Sequence, residues 1–294
     1  MLVREPVVAG RFYPGDGESC LDAIRKMRVP PEFPDVPDRP VGGVVPHAGW
    51  LFSGETAFTV FSALASRRRP GTVVLFGASH RPISGNALFA EGVWRSPLGE
   101  VPVDERLADD ILSRAGAGDL LTSDPKAHEA EHSLEVQLPF LQHLFSEVRI
   151  VPILVPGDGG GDPVALGRVA GEVIRDRQAD AVCLGSSDLT HYGPSYGFAP
   201  QGTGEAAVRW VRDDNDRRML RLMETLDAEQ VVPEARQHLN ACGAGAIAAT
   251  IAAARALGAA AGHVVRYTTS FDVMREKMGR ADYSAGVGYP GVVF

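Results

Sequence analysis

Cysteine is scarce in this sequence. Only three thiols, Cys20, Cys183 and Cys242, occur in 294 residues. Secreted domains built on disulfides carry many more cysteines, usually in even numbers. The low, odd number therefore excludes a disulfide framework and predicts a cytoplasmic protein.

Long hydrophobic runs and an excess of basic residues are also lacking. The longest apolar stretch, residues 244–254, is shorter than the roughly 20 residues that cross a bilayer. The first ten residues contain no apolar signal core. Lys and Arg total 29 against 37 Asp and Glu, a formal net charge of -8. Because nucleic-acid binders need a basic surface to neutralise phosphates, we expect neither nucleic acid nor a membrane as partner.

Short apolar runs alternate with helical segments along most of the chain. Val-, Ile- and Leu-rich runs without polar alternation are typical of parallel strands buried on both faces. Such strands are predicted at residues 41–45, 72–76, 149–155, 181–185, 263–269 and 285–294. Helices are predicted at residues 54–66, 163–175 and 205–226. The pattern predicts a single α/β domain over residues 1–294, with a mostly parallel central sheet and helices on both faces.

Two segments interrupt this alternation. Residues 28–40 contain five prolines and predict an extended strap before the first core strand. Residues 86–103 are predicted to form a hairpin-like segment outside the main sheet. Neither is predicted to be a domain boundary.

Histidines follow the ends of three predicted strands. They are His47, His80 and His191, and Ser187 and Asp188 lie on the same segment as the last. In open α/β sheets, binding sites form outside the carboxyl ends of the strands. One such histidine would be an ordinary loop residue, but three at one edge favour a metal site, because neutral imidazole is the commonest metal ligand. A site of this type suits zinc, iron or copper.

Cys242 differs from the other two thiols in its position. It lies in the segment Asn240-Ala-Cys-Gly, where Asn240 is expected to cap a helix that begins near Gly243. A thiol at a helix N-terminus has a lowered pKa, which makes it a better nucleophile and a better metal ligand. An unreactive buried thiol is the alternative, and it is the expectation for Cys20 and Cys183.

The segment from His128 to His132 (His-Glu-Ala-Glu-His) matches the zincin pattern H-E-x-x-H. A zincin needs both histidines well inside a helix, whereas here the motif is predicted at a helix start. We therefore expect Glu131 and His132 to support the metal ligands from behind. No G-x-S-x-G elbow or Walker loop occurs, and no G-x-G-x-x-G opens a helix after the first strand, so the corresponding enzyme classes are not predicted.

Several of these motifs together resemble the Memo family. The matching segments, in the family's order, are residues 7–14, 45–50, 53–54, 77–80, 131–139, 186–193 and 240–243. The resemblance runs from about residue 4 to residue 294. It implies a fold similar to class III extradiol ring-cleaving dioxygenases, in which two histidines and a carboxylate hold non-haem iron.

The resemblance also implies roles for individual residues. His47 and His80 would be metal ligands, with Cys242 in the third position where the dioxygenases have a carboxylate, and His191 would be the acid/base. Because a thiolate ligand suits copper as well as Fe(II), the resemblance does not predict ring cleavage. Prokaryotic relatives of this kind imply a functional link to radical-SAM and AMMECR-type proteins, and animal relatives a link to cell motility.

The leading hypothesis is therefore a mononuclear Fe(II) or copper protein, with zinc possible, acting on an unknown small molecule or peptide. Asp188 is predicted to be a further ligand or to orient a histidine ring, and His191 to move a proton. The first rival is a metal-free thiol enzyme, with Cys242 as nucleophile, His191 as base and Asp188 as orienter.

The second rival is a binding module with a vestigial pocket. It depends on aromatic side chains expected near the pocket mouth, where they would hold a peptide or a ring. These are Trp50, Phe52, Trp94, Tyr192 and Tyr196. Ordinary packing is the alternative interpretation of the same residues.

Overall fold

The computed structural model describes residues 1–279 and 284–294. The strands are β1 (Val3–Arg4), β2 (Gly42–Val45), β3 (Thr72–Ser79), β4 (Ala87–Leu88), β5 (Val93–Ser96), β6 (Gly99–Pro102), β7 (Thr122–Ser123), β8 (Arg149–Pro156), β9 (Ala181–Ser186), β10 (His191–Tyr192), β11 (His263–Thr269) and β12 (Gly286–Val293). The helices are α1 (Gly17–Arg25), α2 (Trp50–Ala65), α3 (Glu105–Gly116), α4 (Leu138–Leu144), α5 (Pro163–Arg177), α6 (Glu205–Trp210), α7 (Asp216–Glu224), α8 (Ala228–His238), α9 (Ala244–Ala256) and α10 (Ser270–Met278).

Four parallel strands form the centre of the main sheet, in the order β2-β9-β3-β8. Their Val-, Ile- and Leu-rich runs are buried on both faces, as continuous apolar runs require. The flanks are antiparallel, because β12 pairs with β2, and β4 pairs with β8. The predicted α/β class with a mostly parallel central sheet is confirmed.

Most predicted element positions agree with the structure, and two differ in an informative way. The helix predicted from residue 54 already begins at Trp50, after Gly49 at its N-cap. The single helix predicted over residues 205–226 is α6 and α7 joined by a π-helical turn, Val211–Asn215. A π-helical turn contains one residue more than an α-helical turn. The residues after it therefore lie on a different side of the helix than they would in a continuous α-helix. Both Asn215 and Asp216 are buried there.

Helices cover both faces of the sheet. On one face α2 packs on β2 and β12, with α4 against it, and on the other face α5 and α9 pack together. The two helices can approach closely because Gly167 of α5 has no side chain. A Cβ at this position would lie 1.9 Å from the Ala249 carbonyl oxygen of α9. Because α9 is buried on all sides and packs this closely, its residues are mostly small and apolar all round. No helix of the described residues is long and apolar enough to cross a membrane.

A buried ion pair ties the N-terminal segment to the core. The Arg4 guanidinium contacts the Glu135 carboxylate, and their side chains are 1% and 0% exposed. The same carboxylate accepts hydrogen bonds from the Tyr13 hydroxyl and from the main-chain N–H groups of Val7 and Val8. Because all these donors are satisfied by one anion, its loss would leave several buried polar groups unpaired.

We expect Glu135→Ala to lower the free energy of unfolding by about 3–5 kcal/mol, because it leaves the buried Arg4 charge without a carboxylate to pair with. Urea denaturation of the wild type and the variant measures the difference. The matched control is Glu229→Ala, which removes an ion pair to Arg255 whose side chains are about half exposed. It should cost no more than about 1 kcal/mol. Equal losses in the two variants would contradict the prediction.

Candidate metal centre

The three strand-end histidines lie at one edge of the central sheet. His47 follows β2, His80 follows β3, and His191 lies beyond β9, which runs between these two strands. Because parallel strands end at the same edge, segments far apart in the sequence reach one pocket. His47, His80, His132, Asp188 and His191 all line it. The predicted convergence is confirmed.

Cys242 completes a compact set of possible metal donors. Its sulfur lies 3.4 Å from Nε2 of His47. One donor atom each from His47, His80 and Cys242 lie within 4.8 Å of one another. Metal bonds to imidazole and thiolate are about 2.0–2.3 Å long, so ligands of one ion stand roughly 3–4 Å apart. The spacing therefore suits a single ion.

The ring of His47 is held by Ser186. Ser186 Oγ donates its hydrogen to the main-chain oxygen of Ser133 at 2.7 Å, so it accepts from Nδ1 of His47 at 3.0 Å. The proton is then on Nδ1, and the Nε2 lone pair faces the Cys242 sulfur. Burial, together with the neighbouring His80 and His132, holds the pKa of His47 well below its ordinary value. His47 is thus neutral, the form that binds metals.

The ring of His80 is held by Glu131. The carboxylate accepts from Nδ1 of His80 at 2.9 Å and from its main-chain N–H at 2.7 Å. Burial opposes ionisation of Glu131, but these hydrogen bonds hold its pKa well below the ordinary value. Burial also acts to lower the pKa of His80, and the bond and charge of Glu131 outweigh this and raise it. A carboxylate on the far nitrogen makes an imidazole a better metal ligand.

His191 is anchored in the same manner, by a main-chain carbonyl. Nδ1 of His191 lies 3.2 Å from the Leu189 oxygen, which can only accept, so the proton is on Nδ1. The Nε2 atom keeps a lone pair. The ring meets Tyr196 edge-on, with centroids 5.2 Å apart. His191 therefore has the form needed to take up a proton in the pocket.

Asp188 is buried beneath the histidines. Its Oδ1 accepts from the main-chain N–H of His47 at 2.8 Å. Burial raises the pKa of Asp188, and the charge of His191 and the bond from His47 act against the increase. The rings donate their orienting hydrogen bonds to Ser186, Glu131 and the Leu189 oxygen, whereas Asp188 holds the main chain of His47.

Cys242 is brought to the sheet by the start of α9. The N-cap of this helix is Gly243, whose N–H donates to Ser187 Oγ at 2.9 Å. A Cβ on Gly243 would lie 2.8 Å from the Ser186 oxygen, so only glycine permits this close approach. The expectation that Asn240 caps α9 is wrong. Its side-chain amide donates to the Asn215 oxygen and to Glu234.

A family model described as Memo-like protein matches residues 4–293. The chain belongs to the Memo family. A MEMO1 family protein of Thermococcus onnurineus is 36% identical over 304 aligned residues, which cover 100% of this chain and 99% of the relative. A MEMO1 family protein of Methanopyrus kandleri is 35% identical over 303 residues, with the same coverage.

An uncharacterised protein of Escherichia coli K12 has a similar crystal structure, with a TM-score of 0.52. The match covers 84% of this Memo-family chain and 98% of the other, at 12% sequence identity. Identity this low indicates a shared fold alone. It agrees with the α/β fold that the resemblance to extradiol dioxygenases implied.

The thiol of this Memo-family protein is less acidic than the sequence predicted. Burial, and then the charge of Asp188, raise the pKa of Cys242 to about 12. The predicted lowering by a helix N-terminus is therefore wrong for the protein alone, because desolvation outweighs the helix dipole. Cys20 and Cys183 are fully buried, as expected.

The zincin interpretation fails on geometry. Residues Pro125–His128 form a 3₁₀ turn rather than part of an α-helix, so the expected helix start is also wrong. His128 is fully buried, with Nε2 3.1 Å from the Ala87 oxygen and its ring against Trp94. His132 instead stacks on His80, with ring centroids 4.5 Å apart. Glu131 and His132 thus reach the pocket side, as predicted, and His128 does not.

The pocket above the donors has a volume of about 340 Å³ and a largely apolar rim. Phe52 and Tyr196 line it as expected. Trp50, Trp94 and Tyr192 do not, which corrects the predicted aromatic set. All three are buried elsewhere: the Trp50 indole donates to the Val136 oxygen, Trp94 packs under Arg4, and the Tyr192 hydroxyl donates to the Gly202 oxygen.

Several residues of the site were not predicted from the sequence. Ser186 anchors His47, and the Gln137 amide donates to the Pro46 oxygen and to Ser186. Phe12 and Tyr289 line the pocket from opposite ends of the chain. Ser186 had a local signal, since it is polar and ends an otherwise apolar strand. Phe12 and Tyr289 had none, because only the tertiary structure brings them to this edge.

A larger cavity of about 910 Å³ lies at the opposite edge of the sheet. It is bordered by the start of β9 and the end of α5, with Arg39, Arg175 and His263 among its lining residues. Two of its cations, Arg68 and Arg175, lie near the ends of α2 and α5, and Arg175 also donates to the Ala256 oxygen at the end of α9. They therefore offset helix dipoles, and the candidate donors lie at the other edge.

Metal-free protein should react slowly with iodoacetamide at Cys242. With a thiol pKa of about 12 instead of 9.0, the thiolate fraction at pH 7 falls about 10³-fold, and the rate with it. The rate should still rise tenfold per pH unit above pH 9, and peptide mass spectrometry of quenched samples measures it. Cys242→Ser identifies the labelled site. A plateau in rate below pH 8 would contradict the raised pKa.

Proposed function

We propose that this Memo-family protein holds one redox-active ion, Fe(II) or copper, between His47, His80 and Cys242, with zinc as a further candidate. The supporting observation is the donor set itself. Three donor atoms lie within 4.8 Å, and a hydrogen bond fixes the Nδ1 proton of each imidazole. Nε2 of the neutral His47 then presents its lone pair, and Nε2 of His80 binds the ion after it gives up its proton.

The chemistry of the donors fits such an ion. Two imidazoles and a soft thiolate suit copper, iron and zinc far better than magnesium or calcium. Cys242 must lose its proton to bind, and a cation repays the desolvation that raises its pKa. Asp188 adds a nearby negative charge. When bound, iron or copper would supply one-electron chemistry and Lewis acidity at the floor of the pocket.

The other residues of the pocket provide proton transfer and limit the size of the substrate. His191 presents Nε2 as a base, and its Nδ1–H bond to the Leu189 oxygen fixes the orientation of the ring. The volume of about 340 Å³ admits a small molecule or one side chain of a peptide. We infer that the substrate is of one of these kinds. The link to radical-SAM and AMMECR-type proteins stays a prediction.

The metal-free thiol enzyme is the weaker hypothesis. It needs a thiolate at neutral pH with His191 as its base, whereas burial raises the pKa of Cys242 and the imidazole in contact with its sulfur is His47. The binding module also loses support, because three of its five aromatic residues are buried away from the pocket.

Metal analysis tests the proposal. Protein purified without chelators or a nickel column should carry about one equivalent of iron or copper. His47→Ala and Cys242→Ser should each reduce this to less than about a tenth, because two donors do not retain the ion. The control is His263→Ala, at the opposite edge of the sheet. Anomalous scattering at the iron and copper edges identifies the element. Less than a tenth of an equivalent in the wild type, unchanged by His47→Ala, would refute it.

Glu131→Gln should weaken the metal affinity about 10–100-fold, because the amide removes the anion that orients His80 and makes it a better donor. Competition titration with a chromophoric chelator measures the affinity. The matched control is Asp180→Asn, which alters a carboxylate bonded to Arg68 and the Gly71 N–H far from the pocket. If both variants bind as tightly as the wild type, Glu131 does not serve this role.

A further inference from the structure

A cluster of buried polar residues lies directly behind the metal centre, outside the pocket lining. We refer to it as the Asp216 cluster: Thr190, Asn215, Asp216, Asn240 and Tyr267. The first four are fully buried. None of them is a candidate metal ligand or lines the pocket, yet Thr190 and Asn240 stand on the two segments that carry site residues.

Asp216 is the centre of this cluster. Its Oδ1 accepts from the main-chain N–H of Thr190 at 3.0 Å and also from the Thr190 hydroxyl. Its Oδ2 accepts from the Tyr267 hydroxyl of β11 at 2.7 Å. Thr190 stands between Asp188 and His191, so these bonds clamp the segment that carries both of them.

The cluster also reaches the segment that carries Cys242. The Asn215 amide donates to the Thr190 hydroxyl at 2.9 Å, and the Asn240 amide donates to the Asn215 oxygen at 2.9 Å. The Cys242 N–H in turn donates to the Asp188 oxygen at 3.2 Å. Asp216 and Asn215 thus join the Asp188–His191 segment and the Cys242 turn from behind.

Local backbone features are arranged around Asp216. The π-helical turn ends at Asn215, immediately before it. On the facing strand β12, a Cβ on Gly288 would lie 1.9 Å from Oδ2 of Asp216, so no larger residue fits at that position. Gly288 also exchanges main-chain bonds with Leu189 and Thr190. The absence of a side chain at Gly288 therefore leaves the space that the Asp216 carboxylate occupies.

The carboxylate is costly to keep in this position. In the part of the chain that the structure describes, hydroxyl and N–H groups are its partners and no cation pairs with it. Burial accordingly raises the pKa of Asp216 to about 7. Functional regions of proteins typically contain buried acids of this kind. Such an acid lowers the stability of the fold, and in return it orders the segments that carry the site.

We propose that Asp216 is a positioning residue of the metal centre: by fixing the Asp188–His191 segment, it holds the Cys242 turn in place relative to His47, whose main-chain N–H donates to Asp188. This rests on the proposed metal-binding function. Asp216 acts through Thr190 and Asn215 and touches neither the ion nor the substrate. Its loss should loosen the geometry of the Cys242 sulfur relative to the two imidazoles.

The test uses Asp216→Asn in the full chain, with cobalt(II) as the probe ion. Chelator competition should give about tenfold weaker binding. The thiolate-to-cobalt charge-transfer band should also shift or lose intensity, because its energy depends on how the Cys242 sulfur is placed. Thermal unfolding at pH 8 should not move downward, since the neutral amide removes a buried charge that is ionised at that pH. A residue with only a structural role would lower stability and leave the band unchanged.

Asp104→Asn is the matched control. Asp104 also accepts from a threonine hydroxyl, Thr72 at 2.6 Å, and from a main-chain N–H, Leu107 at 3.1 Å. Thr72 begins β3, whereas His80 follows its other end. The variant removes an equivalent pair of bonds far from the centre, so its cobalt affinity and charge-transfer band should match the wild type.

A double-mutant cycle tests the route through Thr190. Thr190→Val removes the hydroxyl bonds to Asp216 and Asn215 and keeps the main-chain N–H bond to Asp216, so it should weaken cobalt binding by a smaller factor than Asp216→Asn. If Asp216 acts through Thr190, the two losses are not additive, and the double variant binds about as tightly as Asp216→Asn alone. If Asp216→Asn does not fold, Thr190→Val decides the matter alone, and wild-type cobalt affinity in it overturns the proposal.

The outcomes separate the two proposals. Wild-type protein that binds no cobalt, iron or copper overturns both. Wild-type protein that binds cobalt, with Asp216→Asn equal to it in affinity and spectrum, overturns the positioning role and leaves the metal-binding function in place. Weaker binding together with a changed band, against an unchanged Asp104→Asn, supports the positioning role.

Discussion

The candidate metal centre depends on hydrogen bonds that hold the Nδ1–H groups of its histidines. Ser186 holds His47, Glu131 holds His80, and a main-chain oxygen holds His191. Each bond fixes the tautomer and leaves Nε2 with a lone pair. Without these acceptors the rings could rotate, and neither ring nitrogen would be fixed as the metal donor. The donor atoms would then have the spacing of a metal site without lone pairs directed at the ion.

The fold supports this arrangement by combining close approach with buried polar contacts. Gly243 allows the start of α9 to press against the end of β9, which brings the thiol to the imidazoles. Behind the pocket, Asp216 and its partners hold the two segments with hydrogen bonds rather than apolar packing. Such networks fix position well but contribute little net stability. The core of Val, Ile, Leu and Ala stabilises the fold as a whole.

The chemistry of single residues was harder to predict than their positions. The thiol of Cys242 illustrates this, because its place before α9 suggested an acidic group whereas burial makes it a weak acid. The same is true of the H-E-x-x-H match, where one histidine faces the pocket and the other is enclosed near Trp94. Helix dipoles and motifs act locally, but desolvation depends on everything packed around a group.

The sequence by itself determined the α/β class, the core strands and the edge at which His47, His80 and His191 meet. These follow from apolar periodicity and from the common direction of parallel strands, which are local properties. Only the tertiary structure decided which acceptor holds each ring, that Trp50 and Tyr192 are buried away from the pocket, and that Asp216 lies behind it. Those features depend on contacts between residues far apart in the chain, and a linear pattern carries no record of such distances.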